Sequence, residues 1–128
     1  MKDILLDTNI LIYLSKGNEK YIQFIETLKE QKLAISIFTY MELLVGSKQN
    51  EDYLTLLELL KNFNIIDFNK DISDIAIKYL RIRDKKSLRD AKFIDILIAS
   101  TAIFYSLPLM TNNPKDFLFF KDLSLIIP

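Results

Sequence analysis

Apolar residues along this chain fall into two rhythms. Short unbroken runs, Ile4-Leu5-Leu6 and Leu33-Ala34-Ile35-Ser36, read as strands buried on both faces. Between and after them, apolar positions recur three and four residues apart: Tyr21, Phe24, Ile25 and Leu28; Ile37, Tyr40, Met41 and Leu44; Tyr53, Leu56, Leu57 and Leu60; Ile72, Ile75, Ala76 and Tyr79. That spacing puts each set on one face of a helix. A further helix is expected directly after the first strand, from Asn9 onward, and Gly46 is a natural stop for the one that starts at Ile37. Residues 64–67 read as a third strand. A polar, basic stretch from Arg83 to Asp90 then precedes a strongly apolar helix, roughly 91–105. Residues 108–111 and 125–127 read as the last two strands. Between them Asn113-Pro114 looks like a helix start, with Asn113 as its cap and Pro114 in its first turn. Strands alternating with amphipathic helices predict an α/β fold with a short, mainly parallel sheet.

The 128 residues suit a single domain spanning 1–128, long enough to bury a core without staples. Half the residues are apolar and 27% are charged, as in ordinary globular proteins. With no cysteine and no histidine, disulfides, thiolate metal sites and the Ser-His-Asp and Cys-His mechanisms are excluded. Any catalysis falls to carboxylates, hydroxyls, lysine, tyrosine or a hard metal ion. The two glycines, Gly17 and Gly46, cannot build a phosphate-cradling glycine loop. Basic and acidic residues balance at 17 each, so overall charge does not argue for nucleic acid. Arg81, Arg83, Lys85, Lys86, Arg89 and Lys92 do form a local basic cluster, which fits a solvated helix end and loop as well as an RNA-contacting surface. The N-terminal apolar run is too short for a signal peptide. The stretch from Phe93 to Leu109 is too short and too polar to span a membrane, so a cytoplasmic protein is expected.

Candidate chemistry lies in four acids. Asp7 immediately follows the first strand, where open α/β sheets place their ligand sites, and it equally suits a cap for the next helix. Glu42 sits in a largely apolar helical run, and a solvated helix face accounts for it as well as a site does. Asp95 stands in Phe93-Ile94-Asp95-Ile96-Leu97-Ile98-Ala99, a helix apolar nearly all round, with no cation four residues away and only Lys92 three before it. An ionised carboxylate there is costly unless paired or metal-bound, which favours a functional role. Asp90, five residues earlier, reads as a helix cap. Asp116, three after Asn113, fits either a first-turn capping role or the same sheet edge as Asp7. Acids gathered without a cation repel one another, and Mg²⁺ or Mn²⁺ relieves this through oxygen ligands, in a site able to hydrolyse a phosphodiester.

Four segments resemble the PIN-domain nucleases, and most closely the VapC-like toxins of toxin–antitoxin pairs. They are Leu6-Asp7-Thr8-Asn9-Ile10; the Ser-x-x-Thr-x-x-Glu-Leu pattern running from Ser36 through Thr39 and Glu42 to Gly46; Asp95-Ile96-Leu97-Ile98-Ala99; and Leu109-Met110-Thr111-Asn112-Asn113-Pro114-Lys115-Asp116-Phe117. Each is weak alone, but their order and spacing match across essentially the whole chain. The resemblance implies a compact α/β/α sandwich in which Asp7, Glu42 and Asp95 hold Mg²⁺ or Mn²⁺, with Asp116 as the fourth acid. Thr8, Asn9, Ser36, Thr39, Thr111 and Asn113 are then supporting polar groups. It also implies endonucleolytic RNA cleavage by metal-activated water, a small antitoxin partner and a homodimer. Some relatives place an acid where Asn113 stands here, and Ser100 replaces a common alanine.

Two other readings compete. A non-catalytic PIN-like module binding RNA or protein has no need of all three core acids. A phosphatase of the haloacid-dehalogenase type needs a second aspartate two residues beyond the first, where this chain has Asn9.

Overall fold

The computed structural model describes residues 3–85 and 92–128. Five strands, β1 (Ile4–Leu6), β2 (Leu33–Ser36), β3 (Asn64–Ile66), β4 (Leu109–Met110) and β5 (Leu125–Ile126), form one sheet in the order β3-β2-β1-β4-β5. Every pairing is parallel, with Leu5 opposite both Ala34 and Leu109. Helices α1 (Thr8–Ser15) and α2 (Glu19–Glu26) join β1 to β2, and α3 (Ile37–Gly46) and α4 (Asn50–Leu60) join β2 to β3. Helices α5 (Lys70–Lys85) and α6 (Phe93–Tyr105) lead from β3 to β4. The strand order thus reverses between β1 and β4, the point at which an open parallel sheet leaves a crevice beyond its carboxyl ends.

Strand alternation divides the core into two layers. Ile4, Leu6, Ile35 and Met110 face one way and pack with Ile10, Leu11, Tyr21, Leu43 and Leu60 from α1–α4. Leu5, Ala34 and Leu109 face the other way and pack with Ala76 and Tyr79 of α5, the apolar body of α6, Phe117 and Phe120. The fold is the α/β/α sandwich expected, with strands so short that two to four residues each must reach both layers. Full burial of a Leu or Ile side chain stabilises by about 1.5–3 kcal/mol, so the paired leucines of β1 anchor both faces at once.

Element boundaries shift where local interactions outweigh the pattern. The first helix begins at Thr8, one residue earlier than its spacing suggests, because Asp7 itself is the cap. Helix α5 continues through Arg83 to Lys85, so the basic stretch begins as helix, not as a break. Lys86 and Arg89 of that stretch, and the capping role expected of Asp90, lie outside the described residues. The segment after Asn113 is a short 3₁₀ helix, Pro114–Phe117, and Asn113 does not cap it with its side chain. The backbone at Asn113, φ −120° and ψ 65°, lacks the extended geometry that a capping side chain needs, and its N–H donates instead to Thr111 Oγ1 at 3.0 Å.

Helix α6 ends at Ser106, which adopts the left-handed conformation at φ 56° and ψ 41°, while Leu107 N–H closes onto the Ala102 carbonyl at 2.8 Å. This reversal aims the chain into β4 and so places Thr111. A non-glycine residue there carries roughly 1 kcal/mol of strain. Ser106→Gly should therefore raise the urea midpoint by about 0.5–1 kcal/mol of stability at constant m-value. An unchanged or lower midpoint would show that the serine is unstrained.

Candidate active site

Asp7 emerges from the carboxyl end of β1 and is 5% exposed. Its Oδ1 accepts the Thr8 N–H at 2.9 Å, which starts α1. Its Oδ2 accepts from Asn9 Nδ2 at 2.9 Å and from Thr111 Oγ1 at 2.8 Å. Thr111 follows β4, the strand hydrogen-bonded beside β1, and the Asp7 N–H donates to the Met110 carbonyl at 2.9 Å. The helix-cap reading of Asp7 thus uses Oδ1, and Oδ2 is held by Asn9 and Thr111. Asn9, which argued against a phosphatase, is a donor that orients Asp7.

A second network starts at the end of β2. Ser36 caps α3, accepting the Thr39 N–H at 3.1 Å. Thr39 is fully buried, and its hydroxyl meets Thr8 Oγ1 at 3.0 Å and Ser36 Oγ at 3.5 Å. Thr8 in turn donates to Glu42 Oε1 at 2.8 Å. Glu42 is exposed on α3, as a helical glutamate usually is, yet this bond ties its carboxylate to the start of α1, beside the residue that follows Asp7. A groove of about 600 Å³ opens beside it, lined by Thr8, Ile12, Lys16, Glu42, Lys48 and Asp52 among others.

Asp95 is in the first turn of α6, 8% exposed, within the run from Asp95 to Ala102 that is buried throughout. Its buried polar neighbours are satisfied inside the helix: Ser100 Oγ donates to the Ile96 carbonyl at 2.7 Å and Thr101 Oγ1 to the Leu97 carbonyl at 2.9 Å. Among the described residues, Asp95 Oδ2 is buried without a hydrogen-bond partner. Such an orphan acceptor is costly in a packed interior.

Electrostatics ties the four acids together. Burial pushes the Asp95 carboxyl from its ordinary 3.8 up to about 7, and the charges of Asp7, Asp116 and Glu42 push the same way, against Lys92. Burial also raises the Asp7 carboxyl, and Glu42 adds to that, while the donors Thr111, Thr8 and Asn9 pull it back. Asp116 lies in the 3₁₀ helix after β4, half-buried, and its N–H donates to the Asn113 carbonyl at 3.1 Å. The charges of Asp7, Asp116 and Glu42 thus all bear on Asp95, and Thr8, Asn9 and Thr111 are hydrogen-bonded to Asp7 or Glu42. Asn113, by contrast, is an exposed residue that contributes its backbone N–H. Among the described residues no three acidic side chains already stand close enough to cage a cation between them. The donors on offer are all hard oxygens, and they suit an ion that keeps part of its water shell.

Two residues of the neighbourhood carry no local sequence signal. Asn112 sits between two candidates but turns away from the acids, donating from Nδ2 to the Tyr21 hydroxyl at 3.2 Å. Tyr21 reads simply as a core position of α2. The basic cluster is only partly visible: Arg81 is exposed, Arg83 pairs with Asp84 at 3.2 Å, and Lys92 stands at the cap of α6.

The raised Asp95 value sets a pH dependence for the metal-free protein. The folded state holds this proton more tightly than the unfolded chain does. Its contribution to stability is full below about pH 3.8 and is lost as pH rises through about 7. In the presence of a chelator, urea stability should fall across that window, by on the order of a few kcal/mol. Asp95→Asn should flatten the fall and exceed the wild type in stability near about pH 8. Identical pH slopes in both proteins would remove Asp95 as the source.

The PIN domain family model matches residues 4–122. Ribonuclease VapC1 of Haemophilus influenzae is 33% identical over 125 residues, covering 93% of this chain and 92% of its own. Among solved structures, VapBC2 from Rickettsia felis, bound to a DNA fragment from its promoter, has a chain that superimposes with a TM-score of 0.88 at 32% identity, over 98% of each chain. A toxin–antitoxin complex from Klebsiella pneumoniae gives a TM-score of 0.74 at 33% identity, over 96% of this chain and 95% of that one. This chain belongs to the PIN-domain family and, within it, to the VapC group.

Proposed function

We propose that this chain is a Mg²⁺-dependent endoribonuclease, the toxin of a pair whose other member is a small antitoxin, acting on RNA in the cytoplasm. The observation that carries the reading is Asp95: a buried carboxylate with an orphaned oxygen, on which three further carboxylates act. Membership of the VapC group supports the ribonuclease activity, and the likeness to solved toxin–antitoxin complexes supports the partner. Among the described residues no helix is long and apolar enough to cross a membrane.

In this reading Asp7 and Asp95 hold the cation, with Asp116 and Glu42 completing its surroundings directly or through water. Mn²⁺ would substitute for Mg²⁺ on the same oxygens. The bound ion supplies polarisation of a phosphoryl oxygen and activation of water. The protein's own groups do the positioning. Asn9, Thr111 and the Thr8 N–H fix both oxygens of Asp7. Thr8 and Thr39 hold Glu42 at the mouth, where it can orient an entering water and accept its proton. In the adjoining groove Lys16 and Lys48 offer phosphate contacts, beside the acids Glu42 and Asp52 that share its lining.

Asp95→Asn tests the reading. The variant should keep the wild-type circular dichroism spectrum and lose at least about a hundredfold in cleavage of single-stranded RNA, together with its growth inhibition. Full nuclease activity in the variant would sink the assignment. Mn²⁺ at millimolar concentration should raise the Tm of the wild type and not that of the variant. No metal effect on the wild type would leave a non-catalytic PIN-like module as the better description.

A further inference from the structure

Tyr21 is buried at 7% exposure, packed among Leu6, Ile10 and Met110, and its ring stacks on Tyr13 of α1 with centroids 4.4 Å apart and planes 3° apart. Packing alone needs only the ring, and a phenylalanine would supply it. The hydroxyl instead reaches across to the segment after β4, where it accepts from Asn112 Nδ2 at 3.2 Å. That segment is the one that orients Asp7. Thr111 Oγ1 donates to Asp7 Oδ2 at 2.8 Å, the Asn112 N–H donates to Asn9 Oδ1 at 3.4 Å, and Asn9 Nδ2 donates to Asp7 Oδ2 at 2.9 Å. Asn9 Nδ2 also lies 3.4 Å from Thr111 Oγ1. These residues close a ring of hydrogen bonds between the ends of β1 and β4, and Tyr21 is its tether to α2. The remaining amide oxygen of Asn112 is buried and unpartnered among the described residues, so among them that side chain is held by its hydrogen bond to Tyr21.

We propose that Tyr21 is a positioning residue for the acid centre: its hydroxyl fixes Asn112, and through the Thr111–Asn112 turn it fixes the orientation of Asp7. The 3.4 Å contacts are long and weak individually. The hydroxyl therefore acts by fixing the turn as a unit, not by passing a proton along it. A consequence is that displacement of α2 is felt at Asp7 without any group touching the acids.

The catalytic half of this inference rests on the nuclease reading above; the structural half does not, and the experiment separates them. In metal-free protein, Tyr21→Phe keeps the stacked ring and should leave the circular dichroism spectrum unchanged. It should speed hydrogen exchange at the Asn112 backbone amide and the Asn9 side-chain amide by about tenfold, read by NMR. Unchanged exchange at both sites overturns the proposal whatever the activity. In the metal-loaded enzyme, Tyr21→Phe should lower kcat and Mn²⁺ affinity by about tenfold or more with little change in KM for RNA. Asn112→Ala should do the same, and the double variant should be no worse than either single, because both act through one turn. Additive losses in the double variant, or a wild-type kcat in Tyr21→Phe, would overturn the catalytic half. A wild-type protein that neither binds Mn²⁺ nor cleaves RNA would fail the nuclease reading while the exchange result still decides the tether.

Discussion

Asp95 stands in the first turn of an apolar helix with one carboxylate oxygen that meets no donor among the described residues, and three other carboxylates act on it. This concentration of like charge in a poorly solvated place is what the surrounding structure accommodates. Among the described residues the cost is offset by hydrogen-bond donors at Asp7 and, at Asp95, by the charge of Lys92. Asp7 is crossed by three donors, and Glu42 is held at the rim by a threonine. Asp95 is left to hold its proton up to about pH 7. A structure built only for stability would fill the Asp95 position with an apolar residue, since unpaired buried acids do not stabilise. Under the nuclease reading, a bound cation would relieve this cost.

The sheet makes this arrangement possible. Parallel pairing puts all the strands' carboxyl ends on one edge, and the reversal of strand order between β1 and β4 leaves the crevice there. Asp7 and Thr111 are therefore neighbours although 104 residues separate them. Strands of two or three residues are sufficient because each side chain in β1 and β4 is fully or nearly fully buried in one layer or the other. The left-handed turn at Ser106 adds the local constraint that sends the chain from α6 straight into β4.

Much of this was legible in the sequence because it is local. The apolar run before Asp7 marked β1, and the continuous apolar surroundings of Asp95 marked a buried acid. What was not legible depends on contacts set by the register of distant strands. The Thr8–Glu42 bond spans 34 residues and the Asn112–Tyr21 bond spans 91, and neither end carries a signal of the other. Tyr21 fell into a regular helical spacing and so read as core alone. The expected cap at Asn113 failed for a different reason: the Thr111 hydroxyl, already serving Asp7, also accepts the Asn113 N–H, and the backbone there turns out of the capping geometry.

The four acids are not equivalent, and the structure changes their order. From sequence alone Glu42 belongs to a fuller motif than Asp116, whose place after Asn113-Pro114 invites a capping explanation. No side-chain cap bond closes that turn, and the charge of Asp116 acts on Asp95 more strongly than that of Glu42 does. Asp7 and Asp95 are the buried inner acids, and Glu42, whose charge acts on both, stands outside them on a solvent-facing helix, tied by one hydroxyl. Under the nuclease reading this separation assigns different work to the two. The inner acids set the field that attracts and holds a cation. Glu42, exposed and held by a single exchangeable hydrogen bond, is the acid free to follow a water or a proton as the phosphodiester is cut. An acid fixed on both oxygens, as Asp7 is, could not do this without breaking the ring that positions it.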